Sequence, residues 1–122
     1  MLGNRILVVD DEPNILRSLT FILKKGGYDV SVAEDGEQAM TKIRDLKPSV
    51  LILDVMMPNK SGYDVCREGK SDPVLRDIHV VMLTAQGQEG DREVALAHGA
   101  YEYISKPFSP IQILTRMNEL LG

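Results

Sequence analysis

The sequence predicts an α/β domain: a doubly wound, five-stranded parallel sheet of order 2-1-3-4-5, with five helices on its two faces. Three observations predict it. Short apolar runs alternate five times with segments of helical periodicity, the pattern of parallel strands joined by crossover helices. The first, third and fourth runs are almost unbroken (Ile6-Leu7-Val8-Val9, Val50-Leu51-Ile52-Leu53 and Val80-Val81-Met82-Leu83), as expected of strands covered on both faces. The second and fifth, Val30-Ser31-Val32 and Tyr101-Glu102-Tyr103, mix in polar residues and suit the sheet edges.

The elements follow in order. Strand 1 is read at 5–9. Helix 1 has Pro13 in its first turn and Ile15, Leu16, Leu19, Ile22 and Leu23 at helical spacing, and Gly26-Gly27 end it. Strand 2 is 29–33. Asp35 caps helix 2, with Gln38 placed as in a capping box, and Ala39, Met40, Ile43 and Leu46 form its inner stripe. Pro48 closes the turn into strand 3, 49–53. Helix 3 is placed at 61–70, strand 4 at 79–83, helix 4 at 89–98 with Gly99 at its stop, and strand 5 at 101–105. Ser109 caps helix 5, Pro110 opens it, and Ile113, Leu114, Met117, Leu120 and Leu121 make its buried face. Right-handed crossovers put helices 1 and 5 on one face and helices 2, 3 and 4 on the other. Gly69 inside helix 3 stands out, since it weakens a helix by about 1 kcal/mol relative to alanine.

At 122 residues the chain suits one domain, 1–122, with a single core. A net charge of -4 argues against direct nucleic-acid binding by this segment and offers no basic surface to anionic lipid. The single cysteine, Cys66, excludes an internal disulfide, fits a reducing compartment and reads as an inert core thiol. His79 and His98 show no ligand spacing and read as surface or capping residues. No signal peptide is read, and no apolar run approaches the ~18–20 residues of a membrane span, so the expected location is the cytoplasm.

The strand order gives the acids a meaning. Its switch point lies between strands 1 and 3, where crossovers leaving to opposite faces open a crevice at the carboxyl ends. Strand 1 runs into Asp10-Asp11-Glu12 on one side and strand 3 into Asp54 on the other, while Thr84 and Lys106 end strands 4 and 5 at the same rim. Two carboxylates at ~4 Å repel by about 4 kcal/mol at an effective dielectric near 20. A proton or a divalent cation must relieve that repulsion. All-oxygen ligands suit Mg²⁺, Mn²⁺ or Ca²⁺, and few protein ligands with open positions suit Mg²⁺, with Mn²⁺ as a substitute. Metal, lysine and threonine hydroxyl together match the three equatorial oxygens of a transferring phosphoryl group, with Asp54 as nucleophile. Helix capping alone would account for Asp10 and Asp11, and edge packing for Tyr103; the facing Asp54 favours the joint reading.

Four segments now carry a resemblance: Val8-Val9-Asp10-Asp11-Glu12-Pro13-Asn14, Leu53-Asp54-Val55-Met56-Met57-Pro58, Met82-Leu83-Thr84-Ala85 and Ser105-Lys106-Pro107-Phe108. In this order, at these strand ends, they resemble the receiver domain of two-component response regulators, of the chemotaxis-regulator type with a flavodoxin-like fold. The resemblance spans the whole chain. It implies that Asp54 is the phosphoacceptor, loaded by a sensor histidine kinase or a histidine phosphotransfer protein. It also implies that Asp10, Asp11, Asp54 and the backbone carbonyl of Met56 hold Mg²⁺. By the same resemblance Lys106 binds the phosphoryl group, Lys106-Pro107 is a cis bond, and Thr84 and Tyr103 form a switch pair. Met56 and Gln86 then tune phosphoryl lifetime. The face of helix 4, strand 5 and helix 5 would control a target protein or output domain, one route being a phosphorylation-dependent homodimer with Glu102 and Arg116 in a charged face. Such a chain is not an enzyme beyond its own phosphorylation and dephosphorylation.

Three rival readings meet obstacles in the sequence. A phosphatase of the haloacid dehalogenase type needs a second aspartate two residues after the nucleophile, where Met56 stands. A flavodoxin-like cofactor binder needs a phosphate loop after strand 1, where Asp10-Asp11-Glu12 repels phosphate. A receiver-like scaffold that is never phosphorylated usually lacks one of the acids or the lysine, and this chain has all of them.

Overall fold

The structure, a computed structural model, describes residues 4–55, 57, 61–73, 76–84, 97, 102–106 and 108–121. Five parallel strands form one sheet in the predicted order β2-β1-β3-β4-β5: β1 (Arg5–Val9), β2 (Asp29–Ala33), β3 (Val50–Asp54), β4 (His79–Thr84) and β5 (Glu102–Ser105). Four helices are described: α1 (Pro13–Lys25), α2 (Gly36–Leu46), α3 (Gly62–Ser71) and α4 (Pro110–Leu121), the last being the predicted helix 5. The helix predicted at 89–98 falls almost wholly outside the described residues, as do Gly99 and Tyr101.

Side chains alternate across the strands and build two cores. Ile6, Val8, Val50, Ile52, Val81, Leu83 and Ile104 pack with Leu16, Leu19 and Leu23 of α1 and Ile113 and Met117 of α4. Leu7, Val9, Leu51, Leu53, Val80 and Met82 pack with Ala39, Met40 and Ile43 of α2 and Val65 and Cys66 of α3. Thus α1 and α4 share one face, and α2 and α3 the other, as right-handed crossovers require. Burial pushes the Cys66 thiol up to about 11, as suits an inert core residue.

Several boundaries move by one residue. β3 starts at Val50 and includes Asp54, which pairs with Leu83; β4 runs through Thr84, which pairs with Ser105. Ladder pairing carries both strands past their last apolar residue. β5 is described from Glu102. In α3, Ser61 lies outside the helix as its cap and accepts from the Asp64 N–H at 3.2 Å, and Ser71 extends the other end. Asp35 caps α2, accepting from the Gln38 N–H at 2.9 Å, but Gln38 Oε1 reaches past the cap to the Glu34 N–H at 3.1 Å. Gly27 turns the chain after α1 at a φ of 96°, a conformation open to glycine. Ser109 caps α4 as expected, accepting from the Gln112 N–H at 3.1 Å. His79 opens β4 and is only half-buried.

Gly69 sits near the end of α3 with no atom of the described residues within 4 Å of where a Cβ would stand. Since no contact demands glycine there, Gly69→Ala is expected to stabilise the protein by up to about 1 kcal/mol, read as a shifted urea midpoint at unchanged slope.

Candidate functional site

The last register pair of β1 and β3 is Val9 with Leu53, so Asp10 and Asp54 are the next residues along two adjacent strands. The Asp10 N–H still donates to the Ala33 carbonyl at 3.2 Å, which fixes the chain as it leaves the sheet. One carboxylate oxygen from each of Asp10, Asp11 and Asp54 can be chosen so that all three lie within 4.8 Å of one another. Asp10 is 0% exposed and Asp54 4%, while Asp11 faces solvent.

Lys106 follows Ser105, the register partner of Thr84, and its side chain is 21% exposed. Its Nζ lies 3.2 Å from Asp10 Oδ2, 3.4 Å from Asp54 Oδ1 and 3.6 Å from Glu12 Oε1. One ammonium therefore serves a rim bearing four acids. Burial draws the lysine pKa down, but Asp54 and Asp10, with help from Glu12, outweigh it and hold the ammonium above its ordinary range. For Asp10 burial dominates and pushes the carboxyl up, against the lowering pull of the Glu12 N–H and Lys106.

The two oxygens of Asp10 differ. Oδ1 accepts from the Glu12 N–H at 2.9 Å. Oδ2 is buried, and its close cationic neighbour among the described residues is the Lys106 ammonium at 3.2 Å. A buried carboxylate beside two more, with a single ammonium shared between it and Asp54, leaves negative charge that a hard divalent cation would satisfy. The residues present therefore fit such an ion, with Asp10, Asp11 and Asp54 to hold it.

Of the other expected residues, Thr84 ends β4 one step beyond Leu83, the register partner of Asp54. Tyr103 is half-buried against the α2–α3 core, and its hydroxyl accepts from Ser105 Oγ at 3.2 Å. Met56, Gln86 and Pro107 lie outside the described residues. Glu102 and Arg116, expected in a charged face, pair with each other at 2.5 Å, tying β5 to α4. Hydrogen bonding to Glu102 chiefly raises the guanidinium pKa. A groove of about 560 Å³ lies along β5 and α4, with Tyr103, Gln112 and Arg116 in its lining.

Two residues at the site were not among the expected ones. Glu12 contacts Lys106; its signal was its place directly after Asp11. Gly62 packs against the backbone of Asp54, and nothing in a serine-glycine pair at a helix start distinguishes that contact from an ordinary turn.

The fold and site together define a doubly wound α/β domain with a cation-ready acidic pocket at its switch point. Comparison with known proteins places it more narrowly. Residues 6–118 match the response regulator receiver domain family, and the chain belongs to it. It is 41% identical over 117 residues to the DNA-binding response regulator MtrA of Mycolicibacterium smegmatis, covering 96% of this chain and 50% of that protein. It is 39% identical over 120 residues to the alkaline phosphatase synthesis transcriptional regulatory protein PhoP of Bacillus subtilis, covering 98% and 49%. The chain thus spans about half the length of the curated relatives it matches. Among solved structures, a response regulator from Chloroflexus aurantiacus superposes with a TM-score of 0.90 at 33% identity, covering 98% of each chain. The chemotaxis response regulator CheY4 of Vibrio cholerae does so with a TM-score of 0.90 at 28% identity, covering 98% and 99%. The chain is a phosphorylation-switched receiver of two-component signalling rather than a metabolic catalyst. No helix among the described residues is long and apolar enough to cross a membrane.

Proposed function

We propose that the whole chain, 1–122, works as one receiver unit in which Asp54 accepts a phosphoryl group from a phosphohistidine on a sensor kinase or phosphotransfer protein. The observation that carries this reading is the Lys106 ammonium held 3.2 and 3.4 Å from the buried carboxylates of Asp10 and Asp54. An Asp54 oxygen attacks phosphorus, the P–O bond forms as the P–N bond breaks, and the leaving imidazole nitrogen takes the electron pair and a proton from solvent. Hydrolysis of the acyl phosphate returns the carboxylate and inorganic phosphate, so the only turnover is of the domain's own phosphoryl group. Asp10, Asp11 and Asp54, with the Met56 carbonyl, would hold Mg²⁺, or Mn²⁺ in its place, which supplies positive charge against the phosphoryl oxygens. Lys106 binds one of those oxygens and Thr84 another, and Met56 and Gln86 govern lifetime.

The added charge of about -1.5 to -2 is what the switch reads. Tyr103 and Thr84 form its two-state element, and the surface around β5 and α4 carries the signal to a target or output domain, including through a homodimer. The groove beside Tyr103 and the Glu102–Arg116 pair support that assignment. The relatives are DNA-binding regulators, so the acidic charge bears on this segment alone: we assign any DNA contact to an output domain, and the whole system to the cytoplasm.

The test is intact mass after incubation with acetyl phosphate and Mg²⁺. A gain of one phosphoryl group, lost with EDTA and absent in Asp54→Ala, is expected. A folded wild type that takes no adduct would overturn the proposal, and an adduct retained in the variant would move the acceptor elsewhere.

A further inference from the structure

We propose that Gly62 is a positioning residue for the phosphoryl acceptor: it lets the start of α3 bear directly on the Asp54–Val55 peptide, which fixes where the Asp54 carboxylate stands. The inference rests on Asp54 being the acceptor. Gly62 is buried and opens α3 behind its Ser61 cap. A Cβ at this position would lie 2.3 Å from the Asp54 carbonyl oxygen, 2.9 Å from Val55 Cα and 3.0 Å from the Asp54 carbonyl carbon. All three are main-chain atoms, so no side-chain rotation relieves the overlap. The demand is one of space, not of an unusual φ, because Gly62 is not among the positive-φ glycines.

The backbone of Val55 is held at both its N–H and its carbonyl. The Gly62 N–H donates to the Val55 carbonyl at 2.9 Å, and the Val55 N–H donates to the Leu83 carbonyl of β4 at 3.0 Å. The end of β3 is thus clamped between its neighbour strand and the first residue of α3. A methyl group at Gly62 must push α3 outward or push the peptide of Asp54 along the sheet. The hydrogen bond to Val55 favours the second, since helix start and strand end are coupled by it. The Asp54 carboxylate works inside a cluster whose oxygens lie within 4.8 Å, where a shift of about 1 Å can cost on the order of a hundredfold in rate. Gly69, in the same helix with no described atom near its missing Cβ, provides the internal control.

Gly62→Ala and Gly69→Ala would be compared with the wild-type chain by circular dichroism, urea unfolding and the rate of acetyl-phosphate labelling across Mg²⁺ concentrations, with rates taken per folded molecule. Gly62→Ala is expected to retain the fold, label roughly 10- to 100-fold more slowly and need several-fold more Mg²⁺ for half-maximal rate; Gly69→Ala is expected to match wild type in both. If Gly62→Ala is partly unfolded, the measurement is made in the Gly69→Ala background with sucrose present. Wild-type rate and Mg²⁺ dependence per folded molecule would overturn the inference, as would loss of the fold even in that background, which would make Gly62 a folding residue. A wild type that does not label would instead sink the acceptor assignment itself.

Discussion

Replacing Asp54 by asparagine is expected to abolish phosphoryl uptake and, in the absence of metal, to make the protein more stable. The loss of uptake follows from the chemistry, since an amide has no anionic oxygen to attack phosphorus. The gain in stability follows from the charges. Within the pocket each contact between full charges is worth about 3–5 kcal/mol at an effective dielectric near 20. Among the described residues, Asp10 and Asp11 crowd Asp54 with like charge and Lys106 offsets them from 3.4 Å. Crowding by two acids, added to the cost of burying the carboxylate, favours replacing its charge when no metal is bound. A gain of about 1–2 kcal/mol in EDTA is expected from urea unfolding, and Mg²⁺ should stabilise Asp54→Asn less than wild type. A destabilised variant in EDTA would show that the lysine pair outweighs the repulsions.

Lys106→Met should act in the opposite sense. The substitution preserves much of the stem's packing and removes the one cation close to Asp10, Asp54 and Glu12 among the described residues. Removing one member of a buried ion pair leaves the others uncompensated, at about 3–5 kcal/mol when fully buried. With the lysine side chain 21% exposed, about 2–3 kcal/mol is the expected loss in EDTA. Mg²⁺ should restore most of it, because the ion meets the same carboxylates, so the rise in melting temperature on adding Mg²⁺ should exceed that of wild type. Phosphoryl labelling should nonetheless slow, as the transferred group loses a cation. Equal Mg²⁺-induced shifts in variant and wild type would mean that lysine and metal do not share the pocket.

Much of this was legible in the chain. The unbroken apolar runs and the two polar-mixed ones gave the strand order, and that order alone brings Asp10 and Asp54 onto neighbouring strand ends. What was hidden depended on contacts without a residue-type signature. Asp54 and Thr84 stand just past the predicted strands 49–53 and 79–83 because they break the apolar runs, yet the ladder continues through both. Gln38 has the spacing to bond the cap residue's own N–H, but the turn presents Glu34 instead. Of the two glycines in α3, the one that looked anomalous has no described atom near its missing Cβ, and the one that looked ordinary meets the backbone of Asp54. Composition identifies which residues bear charge; only packing reveals which backbone a missing side chain allows to approach.

The cation that partly offsets the acids of the resting pocket is covalently part of the chain. A free counter-ion would be set by the surrounding medium and would vary with it. A tethered one is present at fixed stoichiometry and high effective concentration. Each signalling cycle therefore begins from the same electrostatic state, and an incoming metal contends with a resident whose occupancy no dialysis can alter.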